Sequence, residues 1–259
     1  MRLVKIIFFD IDGTLADKYG HISESTKFAI RKASNNNCKI FINTGRCKAA
    51  VDPDIDALGI DGYVLGCGTQ IIVDGEEILR KEFIEADALK IKNILVKNDV
   101  FALIEGIDYI GYDFNKYGSE FIKDYSAYKN KDYKIVDYNQ VEKFSKVFCM
   151  DVDAKKLKIL QKELKEYFTF TDRGNKRYEL VPIGYNKGIG VEKVCEALKV
   201  GIEDTIAFGD SENDMEMFRV VEDAVAMEGS PIELINISSF VTSSTMFGIE
   251  EGLKKLRLI

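Results

Sequence analysis

Two aspartates, Asp10 and Asp12, follow directly on the apolar run Ile6-Ile7-Phe8-Phe9 and precede Gly13 and Thr14. In an extended chain a spacing of two puts both side chains on one side. Carboxylates held 4 Å apart repel by roughly 4 kcal/mol at an effective dielectric near 20. A divalent cation is the obvious compensation. The plain alternative is a solvated Asp-Gly turn that ends a strand. A second run, Lys39-Ile40-Phe41-Ile42, ends in Asn43-Thr44-Gly45-Arg46. Thr44 could donate its hydroxyl to a phosphate oxygen, and Gly45 lets a backbone amide approach closely. Equally, Thr44 could simply cap a helix.

A third segment, Asn186-Lys187-Gly188, opens a helical pattern of Val191, Val194, Cys195 and Leu198. A lysine opposes the helix dipole at that end, unless both it and the helix terminus face a bound anion. An exposed lysine is the alternative. The fourth segment runs from Phe208 and Gly209 through Asp210, Ser211, Glu212 and Asn213 to Asp214. Asp210 could complete the cation site begun by Asp10 and Asp12. An acidic first helical turn, favoured by the dipole, reads the same residues blandly. Each bland reading stands alone. Together, a carboxylate pair, a hydroxyl, an ammonium and a carboxylate cluster all sit at ends of elements that would converge on one sheet edge.

The elements that must position them are short apolar runs. Residues 3–9, 38–42, 62–65 and 204–208 lack polar alternation and read as strands covered on both faces. Ser23 or Ser25 could start a helix that reaches about residue 34. This alternation predicts an α/β fold, a doubly wound, Rossmann-like parallel sheet. The middle differs. Residues 86–97 and 155–168 read as helices, with Leu157, Leu160, Leu164 and Phe168 on one face of the second. Strands are expected at 100–105, 108–114, 146–152, 168–171 and 177–181, several with polar alternation, in an open antiparallel sheet with one wet face. The chain is therefore read as a core of residues 1–81 and 183–259 carrying an inserted α+β domain at 82–182. Pro182 and Gly184 break regular structure at the second crossing.

Composition narrows the function classes. The 259 residues carry 36 Lys and Arg against 43 Asp and Glu, a net charge of −7. Nucleic-acid binding draws on a basic excess, so it is not expected here. A phosphate must be held locally rather than by bulk charge. The five cysteines, Cys38, Cys47, Cys67, Cys149 and Cys195, are scattered without a CxxC pair and read as buried thiols. With no signal-peptide pattern and no long apolar stretch, a cytoplasmic protein without membrane association is expected.

The four segments resemble, in order, the motifs of the haloacid dehalogenase superfamily of phosphohydrolases: DxDGT at 10–14, Thr44, Lys187 and GDxxND at 209–214. More narrowly the chain resembles the Cof-type subfamily, whose large α/β cap is inserted between the second and third motifs. Ala226-Met227 and Phe247-Gly248-Ile249 support the match. Asn43 stands where many relatives have Ala, and Gly66-Cys67-Gly68-Thr69 where relatives usually have Asn-Gly-Ala.

The resemblance implies a magnesium-dependent phosphatase acting on a small phosphorylated metabolite, such as a sugar phosphate, as a monomer or weak homodimer. Asp10 would be the nucleophile that forms an aspartyl-phosphate. Asp12, with a raised pKa, would move protons. Asp10, Asp210 and the backbone carbonyl of Asp12 would bind Mg2+. The amides of Ile11 and Gly45, with Thr44, Lys187 and Asn213, would hold phosphate. Asp214 would orient Lys187 or a metal-bound water. The cap would close over the site and choose the substrate, with Tyr109, Tyr112, Arg173 and Arg177 as candidates on its wet face. A sugar phosphomutase with the same intermediate, or a phosphate and magnesium sensor without turnover, would share these residues. His21 is assigned no role.

Overall fold

The structure is a computed structural model that describes residues 4–118, 134–243 and 246–259. The chain divides into two compact units, one of Met1–Gly45, Val51–Leu79 and Asn186–Ile259, the other of Arg46–Ala50 and Arg80–Tyr185.

The first unit is built on strands β1 (Ile6–Phe9), β2 (Lys39–Asn43), β3 (Gly62–Leu65), β4 (Gln70–Val73) and β5 (Glu76–Arg80). The later strands β12 (Thr205–Gly209), β13 (Asp223–Ala226) and β14 (Phe240–Val241) complete it. They form one sheet in the order β14-β13-β12-β1-β2-β3-β4-β5, parallel from β14 through β3. Successive residues of β1 serve opposite cores. Ile7 and Phe9 pack with Ala29, Ile30 and Ala33 of helix α1 (Glu24–Asn35) and with Ile249 and Leu253 of α9 (Gly248–Lys255). Ile6 and Phe8 pack with Val191, Val194 and Cys195 of α6 (Lys187–Leu198) and with Met217 and Phe218 of α7 (Met215–Val220). Helices on both faces, with the short α2 (Pro53–Asp56) adding Ile55 to the first core and α8 (Ile232–Ile235) adding Leu234 to the second, explain why these strands carry no polar alternation. Ser23, not Ser25, caps α1 by accepting from the Thr26 amide at 3.1 Å.

The second unit holds β6 (Phe101–Glu105), β7 (Ile110–Tyr112), β8 (Ile135–Asp137), β9 (Lys146–Met150), β10 (Phe168–Asp172) and β11 (Tyr178–Pro182) in the order β10-β11-β9-β6-β7-β8. All neighbours are antiparallel except β7 and β8. Helices α3 (Glu85–Lys97) and α5 (Ala154–Leu164) bury Ile91, Leu95, Leu160 and Leu164 with Ile104, Val147 and Leu180 of the sheet.

The expected wet face is not found at the sheet centre. Phe101, Leu103, Tyr112 and Met150 form a second core there with Cys47 and Ala50. Charged residues within these strands are buried by pairing: Lys146 lies 3.0 Å from Glu105 and 2.7 Å from Glu179. Tyr112 is fully buried and donates its hydroxyl to the Gly118 carbonyl at 3.0 Å, so it is no surface contact. Tyr109 donates to the Lys143 carbonyl, and Arg177 donates to the carbonyls of Gly174 and Arg173. Two boundaries also move. Phe168 opens β10 opposite Pro182 instead of ending α5, which stops at Leu164. Asp113 leaves the strand expected at 108–114 to cap the short helix α4 (Phe114–Tyr117).

All five cysteines are buried. Among the described residues, no helix is long and apolar enough to cross a membrane.

Candidate active site

Parallel pairing brings the sequence motifs together. Phe9 is in register with Phe208 on one side and Ile42 on the other. Asp10, Asp210 and Thr44 follow those three positions, so they emerge at the carboxyl edge of adjacent strands, where open α/β sheets place ligands. The Asp10 amide extends the β1–β12 ladder by donating to the Phe208 carbonyl at 3.0 Å.

Past Asp10 the chain turns instead of staying extended. The Leu15 amide donates to the Asp10 carbonyl at 3.3 Å, and the Thr14 and Ala16 amides donate to Ile11 at 3.3 and 2.9 Å. Asp10 is therefore buried while Asp12 is exposed, and one extended strand does not align the two. Gly13 makes the turn possible at φ +84°, where a β-carbon would stand 2.3 Å from an Asp210 carboxylate oxygen. Thr14, fully buried, donates its hydroxyl to Asp210 Oδ1 at 3.0 Å. Its position after Asp-x-Asp-Gly was the only sequence signal for that contact.

Lys187 opens α6 but is no exposed lysine. It is 0% exposed, with Nζ 2.7 Å from Asp10 Oδ1 and 2.6 Å from Asp214 Oδ1. Asn186 caps the helix, accepting from the Ile189 amide at 2.8 Å. The other Asp214 oxygen accepts from the amides of Asp210 and Ser211 at 3.0 and 3.1 Å. Asp214 thus joins the ammonium to the loop that presents Asp210. Asn213 accepts from the Ser211 hydroxyl at 2.8 Å. The buried Thr44 fixes its main chain to the Val64 carbonyl at 2.9 Å and the Cys67 amide at 3.0 Å, and Gly45 is half-buried beside it. Ile11 is fully buried.

The electrostatics follow from burial. Desolvation pushes the Asp10 carboxyl up to about 8, against the lowering pull of Lys187 and with help from Asp214, Asp210 and Asp12. Desolvation and Asp214 push Asp210 to about 6, against the Thr14 hydroxyl and Lys187. Burial works to lower Lys187, but Asp10 and Asp214 outweigh it and raise its pKa. Carboxylate oxygens of Asp10, Asp210 and Asp214 lie within 4.8 Å of one another. One ammonium against three carboxylates leaves negative charge for a cation to neutralise, and an all-oxygen donor set suits a hard divalent ion. The Asp12 carboxylate is not in this group. Asp214 is committed to Lys187 and two amides, which leaves Asp10 and Asp210 as the better side-chain ligands.

Residues 7–251 match the model of a haloacid dehalogenase-like hydrolase family. The chain is 28% identical to the 5-amino-6-(5-phospho-D-ribitylamino)uracil phosphatase YwtE of Bacillus subtilis, covering 93% of each. It is 27% identical to the HMP-PP phosphatase of Escherichia fergusonii, over 83% of this chain and 80% of that one. The structure of the HAD subclass IIB sugar phosphatase BT4131 superposes with a TM-score of 0.83 over 99% of this chain and 100% of that one, at 24% identity. That last likeness is one of fold.

Proposed function

The chain belongs to the haloacid dehalogenase-like hydrolase family, and on that premise we propose that it is a phosphatase that frees phosphate from a small phosphorylated metabolite. The observation that carries the reading is Lys187, an ammonium buried completely between the carboxylates of Asp10 and Asp214 at the edge of a parallel sheet. Lys187 holds one Asp10 oxygen, which leaves the other to attack phosphorus in line and form an aspartyl-phosphate. Asp12, the exposed carboxyl group beside it, gives its proton to the leaving oxygen and, as the carboxylate so formed, takes one from the attacking water. Thr44, Lys187, Asn213 and the amides of Ile11 and Gly45 hold the transferring oxygens. Asp10 and Asp210, with the Asp12 carbonyl, would hold Mg2+. When bound, the ion neutralises charge so that a carboxylate and a phosphate dianion can approach.

The named substrates of the two relatives are both small phosphorylated metabolites, which supports that class here. We assign substrate choice to the inserted segment 82–182. A phosphate-release screen over a broad panel of metabolites, with Mg2+ present, tests the activity. Release without isomerised product removes the mutase alternative. Silence across the whole panel removes the phosphatase and leaves the sensor.

The carboxylates also set a pH and metal dependence. An unfolded aspartate titrates near 3.8, whereas Asp210 and Asp10 in the fold titrate near 6 and 8. Between those values the native state holds protons that the unfolded chain has released, so stability falls as pH rises. In chelator, Tm is expected to drop between pH 5 and 8. Mg2+ binds the ionised carboxylates, so its stabilising shift should be larger at pH 8 than at pH 5.5. An equal Mg2+ shift at both pH values, from thermal melts, counts against these ligands.

Asp12→Asn is expected to lower turnover by about 10²- to 10⁴-fold, the usual range for a lost general acid–base. Phosphate esters with good leaving groups, which need less protonation, should lose less in the first step. An equal loss for good and poor leaving groups would argue against the acid role.

A further inference from the structure

Asn43 ends β2 and precedes Thr44, and its side chain is fully buried. Nδ2 donates to the Lys187 carbonyl at 3.0 Å and to Met217 Sδ at 3.2 Å. Oδ1, also buried, has no hydrogen-bond partner among the described residues. Turning the amide over would set two carbonyl oxygens against each other, so the donor must face Lys187. A buried acceptor without a partner works against folding. The amide therefore serves through its donor end. That end touches α6, which begins with Lys187, and α7, which follows Asp214 directly, while its own backbone leads into Thr44. Thr44 is tied separately to Val64 and Cys67 on the β3 side.

We infer that Asn43 is a positioning residue for phosphate binding: its amide pins the first turn of α6 to the end of β2 and so sets the spacing between the Lys187 ammonium and Thr44. The inference rests on the phosphatase reading, in which those two groups hold the phosphoryl oxygens.

Asn43→Leu keeps the same number and branching of side-chain heavy atoms and removes both polar ends. Assayed with p-nitrophenyl phosphate and Mg2+, it should lose about tenfold in kcat/KM, because small misplacements at a reacting centre are costly. The inhibition constant of inorganic phosphate should rise by a similar factor. Tm should stay near the wild-type value, since loss of the unpaired acceptor offsets the bulkier methyl groups. Wild-type kinetics in this variant overturn the inference. So does a loss of activity that merely tracks a fallen Tm and a smaller folded fraction, which would make Asn43 a packing residue. If the leucine variant does not fold, Asn43→Ala, measured well below its own Tm, decides: unchanged inhibition by phosphate overturns the inference. Failure of the wild type to release or bind phosphate would instead sink the phosphatase reading, and that result is separable because it involves no variant.

Discussion

Asp10→Asn is expected to abolish phosphate release while leaving the protein folded. The amide has the shape of the carboxylate but cannot attack phosphorus, and among the described residues no other carboxylate occupies its place at the end of β1. Loss of a covalent nucleophile should lower turnover by at least about 10⁴-fold, or about 5.4 kcal/mol of transition-state stabilisation. Folding should survive for a specific reason. Burial of Asp10 already opposes its charge, and Lys187 keeps Asp214 as a partner at 2.6 Å. In chelator the variant should therefore melt no lower than the wild type, and its Tm should depend less on pH between 5 and 8. Phosphate release and thermal melts measure both. Turnover above about one per cent of wild type would remove Asp10 as nucleophile.

Lys187→Met should destabilise strongly as well as inactivate. Removing the ammonium leaves the Asp214 carboxylate, and Asp10 wherever it is ionised, buried without a cation. Breaking a buried pair in this way costs about 3–5 kcal/mol. Urea unfolding in chelator should show that loss. Lys187→Met/Asp214→Asn should recover part of the stability and none of the activity, because the second change removes a stranded charge but restores no phosphate ligand. Mg2+ should soften the single variant's defect by neutralising the remaining carboxylates. A Lys187→Met protein as stable as wild type, or a double variant no more stable than the single, would contradict the buried-pair account.

Much of the core was legible because its signals are local. An apolar run that ends abruptly in Asp10, in Thr44 or in Gly209-Asp210 marks both a strand covered on two faces and the point where the chain reaches the sheet edge. The second unit was less legible. Polar alternation in its strands suggested a wet face, whereas Lys146 and Glu179 are buried by their pairing in space. Phe168 fitted a helical face by spacing, yet its partner is Pro182 across a strand pair.

At the site, residue types and order by themselves determined the family, the parallel core and the candidate carboxylates, hydroxyl and ammonium. The tertiary structure decided what those groups do to one another. Lys187 and Asp10 are 177 positions apart, and at a helix start the lysine read as electrostatically misplaced. Only the placement of β1 beside β12 at the start of α6 turns that misplacement into a buried bridge. Only that packing joins Asp214 to the lysine and gives Asn43 a carbonyl to hold. Strand character follows from each residue's own neighbours in the chain, whereas a pKa, an ion pair and a hydrogen bond follow from ångström distances between segments far apart in it.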